Sequence, residues 1–71
     1  MRYDIKMLEV VALLVALPNR GLMAGQVGTV VEILDDGVFE VELCDNDGRT
    51  YPTLALRADQ LMVLHYSPVA A

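Results

Sequence analysis

The chain has 71 residues, a formal net charge of −5 and one cysteine, Cys44, which allows one domain, leaves no disulfide to staple it and suits a reducing cytoplasm. A chain this short buries only about 60% of its unfolded surface, yet 55% of its residues are hydrophobic and its mean hydropathy is +0.43. That surplus predicts a homo-oligomer, and the few scattered cations argue against a polyanion-binding face.

Residues 1–71 read as a single domain with short flexible ends at 1–5 and 67–71. The first periodic segment is ambiguous. Leu8, Val11, Ala12 and Val15 fit a helical stripe, whereas "VVALLV" also fits a strand buried on both faces. Its valines and the stop at Pro18 favour a strand. The run "VVALLVAL" is far below the ~20 residues that span a bilayer as a helix. It also lacks the basic start and small-residue cleavage site of a secretory signal. "LPNRGLMAG" then reads as a surface loop.

In "QVGTVVEIL", Val27, Thr29, Val31 and Ile33 share one face of a predicted strand. Gly28, Val30, Glu32 and Leu34 share the other, with Val30 and Leu34 as its surplus apolar residues. "VFEVELC" alternates more cleanly, with Phe39, Val41 and Leu43 inward and Glu40 and Glu42 outward. Between these strands lies "DDG". Gly37 can take the left-handed backbone that closes a three- or four-residue hairpin loop with a bulge. "DNDG", ending at Gly48, marks a second hairpin leading to a strand near Arg49, "RTYPTLAL", which Pro52 places at an edge or kinks. "RADQ" predicts a tight helical turn over 57–60, and "LMVLHY" a final strand over 61–66. The whole is all-β: about five antiparallel strands in a small closed or nearly closed barrel.

Seven of the ten acidic residues, Glu32, Asp35, Asp36, Glu40, Glu42, Asp45 and Asp47, fall between 32 and 47, and no Lys or Arg occurs from Gly21 through Gly48. Such a face is either a solvated strand surface or a dock for a basic partner.

"GQVGTVVEI" resembles the strand and loop of the KOW type found in SH3-like barrels. There, one glycine ends the preceding loop and a second lets the strand bend sharply. With "EVVALL", "LPNRGLMAGQVGTVVEILDDGVFEVELCDNDGRTY" and "ADQLMVL" added, the chain resembles, from Leu8 to Tyr66, a small bacterial family known as domain of unknown function 4926. The resemblance implies an SH3-like barrel with Gly25, Gly28, Gly37 and Gly48 as structural turn glycines. It also implies a stand-alone role, antitoxin-like by the likeness to some members that look to be encoded beside another small protein. KOW-type loops elsewhere meet RNA or ribosomal proteins through basic residues, but here Leu22 to Gln26 contains none.

The chemistry-bearing residues do not assemble into a site by spacing. Asp45, Asp47 and Gly48 fit positions three, five and six of a calcium loop, but positions one and twelve are Leu43 and Leu54. Cys44 and His65 fall short of the four ligands of a structural zinc. His65 and Ser67 share a strand face about 7 Å apart with no pocket implied. "GLMAGQVG" lacks the lysine and helix of a phosphate loop. The reading is therefore non-enzymatic, with no metal and no cofactor. It describes a cytoplasmic interaction module that holds a basic protein partner through Glu32, Asp35, Asp36, Glu40 and Glu42 and an adjoining apolar strip with Tyr51 and Tyr66. The alternative is a KOW-like RNA or ribosome-associated binder with tyrosines that stack on bases.

Overall fold

A computed structural model describes residues 5–45, 47–49 and 51–65. Five strands, β1 (Val10–Leu13), β2 (Val27–Asp35), β3 (Val38–Leu43), β4 (Leu54–Arg57) and β5 (Leu61–Val63), form one antiparallel sheet in the order β4-β3-β2-β1-β5. Two 3₁₀ turns, Pro18–Arg20 and Ala58–Gln60, are the helical elements among the described residues. The all-β class, the five strands and the turn near 57–60 agree with the sequence reading. The sheet itself is open: β4 pairs only with β3, and β5 only with β1.

Its two edges nevertheless lie close together. β4 and β5 are separated by only the turn Ala58–Gln60, so the sheet must curl to bring its first and last strands within three residues of chain. One core inside the curl confirms it. Val11 and Leu13 of β1, Val30 of β2, Phe39, Val41 and Leu43 of β3, Leu56 of β4 and Leu61 of β5 form a single cluster, joined by Leu22 and Ala58. Burying each of the larger aliphatic side chains contributes about 1.5–3 kcal/mol. The turn is held locally, since Gln60 Oε1 accepts the Arg57 backbone N–H at 2.9 Å. It is also tied to the hairpin, because the Ala58 N–H donates to the Gly37 carbonyl at 2.8 Å.

β1 is buried on both faces, as the strand reading of "VVALLV" requires, but it ends at Leu13. The segment after it is more than a surface loop. Leu17 and Leu22 bridge each other, Gly21 closes the first 3₁₀ turn with φ 69°, and Leu22 reaches the core. Ile5, assigned from sequence to a free end, packs against the same core. The rest of both expected flexible ends lies outside the described residues. β4 begins at Leu54, after Pro52 rather than at Arg49, and it is an edge strand, paired with β3 alone. β5 ends at Val63, short of the predicted 66.

The inner face of β2 differs from the one that simple alternation gives. Gly28 pairs with Leu43 and Val30 with Val41, so these two point inward, and Val30 is completely buried while Val27 is exposed. Register shifts fall between Val30 and Glu32 and between Ile33 and Asp35. Val31 and Leu34 are thus extra residues on β2, and each bulge changes which parity faces the core. Ile33 comes opposite Phe39 for that reason, near the end of the hairpin where it remains 47% exposed. The hairpin loop shortens to Asp36–Gly37, with Gly37 at φ 76°.

Gly28, expected among the turn glycines, stands inside β2 for lack of room. A Cβ there would lie 2.7 Å from the Glu42 carbonyl oxygen and 2.8 Å from side-chain carbons of Val41 and Leu43.

Candidate interaction face

The ladder distributes the outward side chains of the sheet into two unlike halves. Across β5, β1 and β2, Met62 pairs with Ala12 and Ala12 with Val27, giving an outward apolar row. Met62 is 50% exposed, Val27 39% and Ala12 only 5%, since its small side chain lies between the two taller ones. The Cys44 N–H continues the row by donating to the Val27 carbonyl at 3.3 Å. A depression of about 530 Å³ lined by Met23, Val27, Cys44 and Asp45 closes its end.

One step along the strands, Val10 pairs with Thr29 and Thr29 with Glu42, so apolar and acidic halves meet at Thr29. Beyond the bulge at Val31, Glu32 stands directly opposite Glu40. Like charges opposed in a ladder are destabilising by roughly 0.2–1 kcal/mol. Among the described residues no ion pair or side-chain hydrogen bond reaches Glu32, Glu40 or Glu42. The side-chain ion pairs join Arg49 to Asp45 and Asp47, and Arg57 to Asp59. Asp35 and Asp36 are exposed at the hairpin tip, where Asp35 Oδ1 accepts the Asp36 N–H at 2.7 Å.

Tyr51 belongs elsewhere. Its hydroxyl donates to Asp45 Oδ2 at 2.8 Å, while Asp45 Oδ1 accepts the backbone N–H groups of Asp47 and Arg49, both at 2.9 Å. The Tyr51 bond, then the Arg49 backbone N–H, hold the Asp45 carboxyl below its usual range, and the same carboxylate raises the Tyr51 phenol. The Asx turn expected at "DNDG" is thereby a hydrogen-bonded knot, with Gly48 at φ 80°. The Tyr51 ring lines a cleft of about 210 Å³ with Arg20, Leu22, Leu43 and Leu54. It therefore does not join the acids in an apolar strip, and Tyr66 lies outside the described residues.

The structure thus brings together Glu32, Glu40 and Glu42, and places Asp35 and Asp36 at the tip beyond them. Sequence reasoning missed Ala12, Val27 and Met62 as one row. The available signal was the hydrophobic surplus, which does not say where the surplus lies. Among the described residues no three His, Cys, Asp or Glu side chains group so as to hold a metal ion, and no helix is long and apolar enough to cross a membrane.

Taken together, the curled five-stranded sheet with its divided outer face defines a small all-β protein. The chain belongs to the family described as domain of unknown function (DUF4926), whose model matches residues 7–63. No curated protein and no solved structure matches it.

Proposed function

We propose that the chain is a non-enzymatic interaction module, an SH3-like barrel in its finer classification, that holds a basic protein partner against the outer surface of β2 and β3. The observation that carries this reading is the Glu32–Glu40 pair, two carboxylates opposed in register with no cation supplied from the described residues. Glu42 extends the line from the next outward position of β3. Lysine or arginine from a partner would relieve the repulsion and gain charge-assisted contacts, with association speeded at low salt. Neutralisation of a small basic toxin is one form such a role takes.

RNA binding has weaker support. Of the cations among the described residues, Lys6, Arg20, Arg49 and Arg57, two are engaged by aspartates, and a polyanion meets Glu32, Glu40 and Glu42 on the sheet's outer face.

The test is capture from the native host followed by salt titration of the complex. The expected result is a basic partner whose affinity falls with salt and falls at least tenfold in the Glu32→Lys/Glu40→Lys chain. Unchanged affinity in that variant overturns the reading.

A further inference from the structure

The sheet has two open edges, and they are not equivalent. Along β5 the bonds to β1 fall at even-numbered positions: the Leu14 N–H donates to the Gln60 carbonyl at 2.8 Å and the Leu64 N–H to the Val10 carbonyl at 3.0 Å. Bonded and non-bonded pairs alternate in an antiparallel ladder. Leu61, opposite Leu13, and Val63, opposite Val11, therefore turn their backbone groups away from β1. The Leu61 N–H is taken by the Ala58 carbonyl. Among the described residues nothing takes the Leu61 carbonyl or either backbone group of Val63.

The same count leaves a smaller opening on β4. The bond from the Ala58 N–H to the Gly37 carbonyl puts Phe39–Leu56 and Val41–Leu54 at bonded positions, so Ala55 and Arg57 face the edge. Gln60 Oε1 already caps the Arg57 N–H, and Pro52 has no N–H to offer.

Edge strands are commonly guarded by a lysine, a proline or a bulge. β5 has no such guard: Leu61, Met62, Val63 and Leu64 follow one another without a charge. Its own sequence also fits the opening. Antiparallel pairing about a two-fold axis at Val63 sets Val63 against Val63, Leu61 against His65 and Met62 against Leu64. The bonded positions of that ladder are the ones β1 leaves open. Met62, 50% exposed, and the half-buried Leu64 then cover each other on the outer face.

Charge favours this edge as well, since each copy carries −5. Joined through β5, the two β2 strands with their Glu32 residues stand five strand spacings apart, about 24 Å. That is well beyond the screening length of about 8 Å in physiological salt. Joined through β4, the two β3 strands with their Glu40 residues would stand only three spacings apart, about 14 Å.

We infer that the occupant of the β5 edge is a second copy of this chain, paired β5 to β5 about Val63 so that one sheet runs through both. The pairing leaves the outer surface of β2 and β3 uncovered in each copy and does not rest on what that surface binds.

The experiment is analytical ultracentrifugation of the full chain over a dilution series, with ¹⁵N spectra at each concentration. The expected result is a monomer–dimer equilibrium in the micromolar range or weaker, because one edge is small beside the roughly 800 Å² per partner of a standard interface. Amide shifts should centre on Leu61 to His65, and NOEs filtered between labelled and unlabelled copies should join Met62 to Leu64. Met62→Lys puts a charge on the edge and should weaken the dimer at least about tenfold. Because Met62 is half-exposed, that variant should keep its melting temperature in dilute solution. Val63→Pro removes the central donor without removing a bond to β1, and should abolish the dimer.

A chain that stays monomeric at about millimolar concentration overturns the inference, and so does a dimer that both variants leave intact. Shifts centred on Leu54 to Arg57, or growth past two copies, would assign β4 to the contact and overturn it too.

Discussion

The two stretches of β2 on either side of Val31 are built alike and behave differently. Before it, Gly28 and Val30 face the core while Val27 and Thr29 face out, and the outer surface is apolar. After it, Ile33 lies on the side of Phe39 yet stays half-exposed, and Glu32 faces out against Glu40. One extra residue reverses the parity, so a continuous strand presents an apolar row at one end and carboxylates at the other. The position of a bulge has the same weight here as the identity of the side chains.

The largest expected effect lies in the first stretch. Gly28→Ala forces a Cβ against the Glu42 carbonyl and two core side chains; a loss of about 3 kcal/mol is expected, read as a fall in melting temperature of roughly 12–24 °C. A wild-type melting curve would show that the strands can part at that point, and that the glycine has another reason to be there.

Val30 and Val27 give the next contrast, three residues apart on the same strand. Val30→Ala should cost about 2 kcal/mol through lost burial and a cavity. Val27→Ala should stay within about 0.5 kcal/mol, as surface changes do. Chemical denaturation of the two variants measures the difference, and a larger loss at Val27 than at Val30 would mean that the alternation read from the sequence is the real one.

The second stretch yields a smaller effect of opposite sign. Glu40→Gln removes the repulsion with Glu32 and should stabilise the isolated chain by roughly 0.2–1 kcal/mol. It should also weaken the rise in stability that added salt brings by screening. Destabilisation instead would show that Glu40 has a favourable partner.

The smallest effect is local to the turn after β3. The Asp45 carboxyl lies below its ordinary 3.8, so the stabilisation it brings is present above the unfolded value, near 3.9, and is lost as pH falls through the folded value. The raised Tyr51 phenol works the other way, its contribution being present below about 10 and lost as pH rises through its folded value. Tyr51→Phe removes the largest cause on Asp45, and its titration, followed by NMR at the amides of Asp47 and Arg49, should move upward toward 3.8. An unmoved titration would place the cause in the backbone donors.

Much of the fold was legible because its signals are local. Gly37 and Gly48 sit at left-handed positions, the alternation of "VFEVEL" holds residue for residue, and the strand after Pro52 is an edge strand. The helical turn at Ala58–Gln60 followed from a short polar interruption between apolar runs. The candidate face was legible only in part. Glu40 and Glu42 point out as alternation says, but Tyr51 turns to Asp45, a hydrogen bond that spacing does not announce.

The amino-acid order by itself determined the class of fold, the hairpins and the concentration of negative charge, because turn conformation and alternation depend on neighbours in the chain. Only the tertiary structure decided that Val30 is core and Val27 surface, that Glu32 confronts Glu40, and that Ala12, Val27 and Met62 form one row. Those facts depend on register between strands, and register depends on where the curling sheet takes up its two extra residues, Val31 and Leu34.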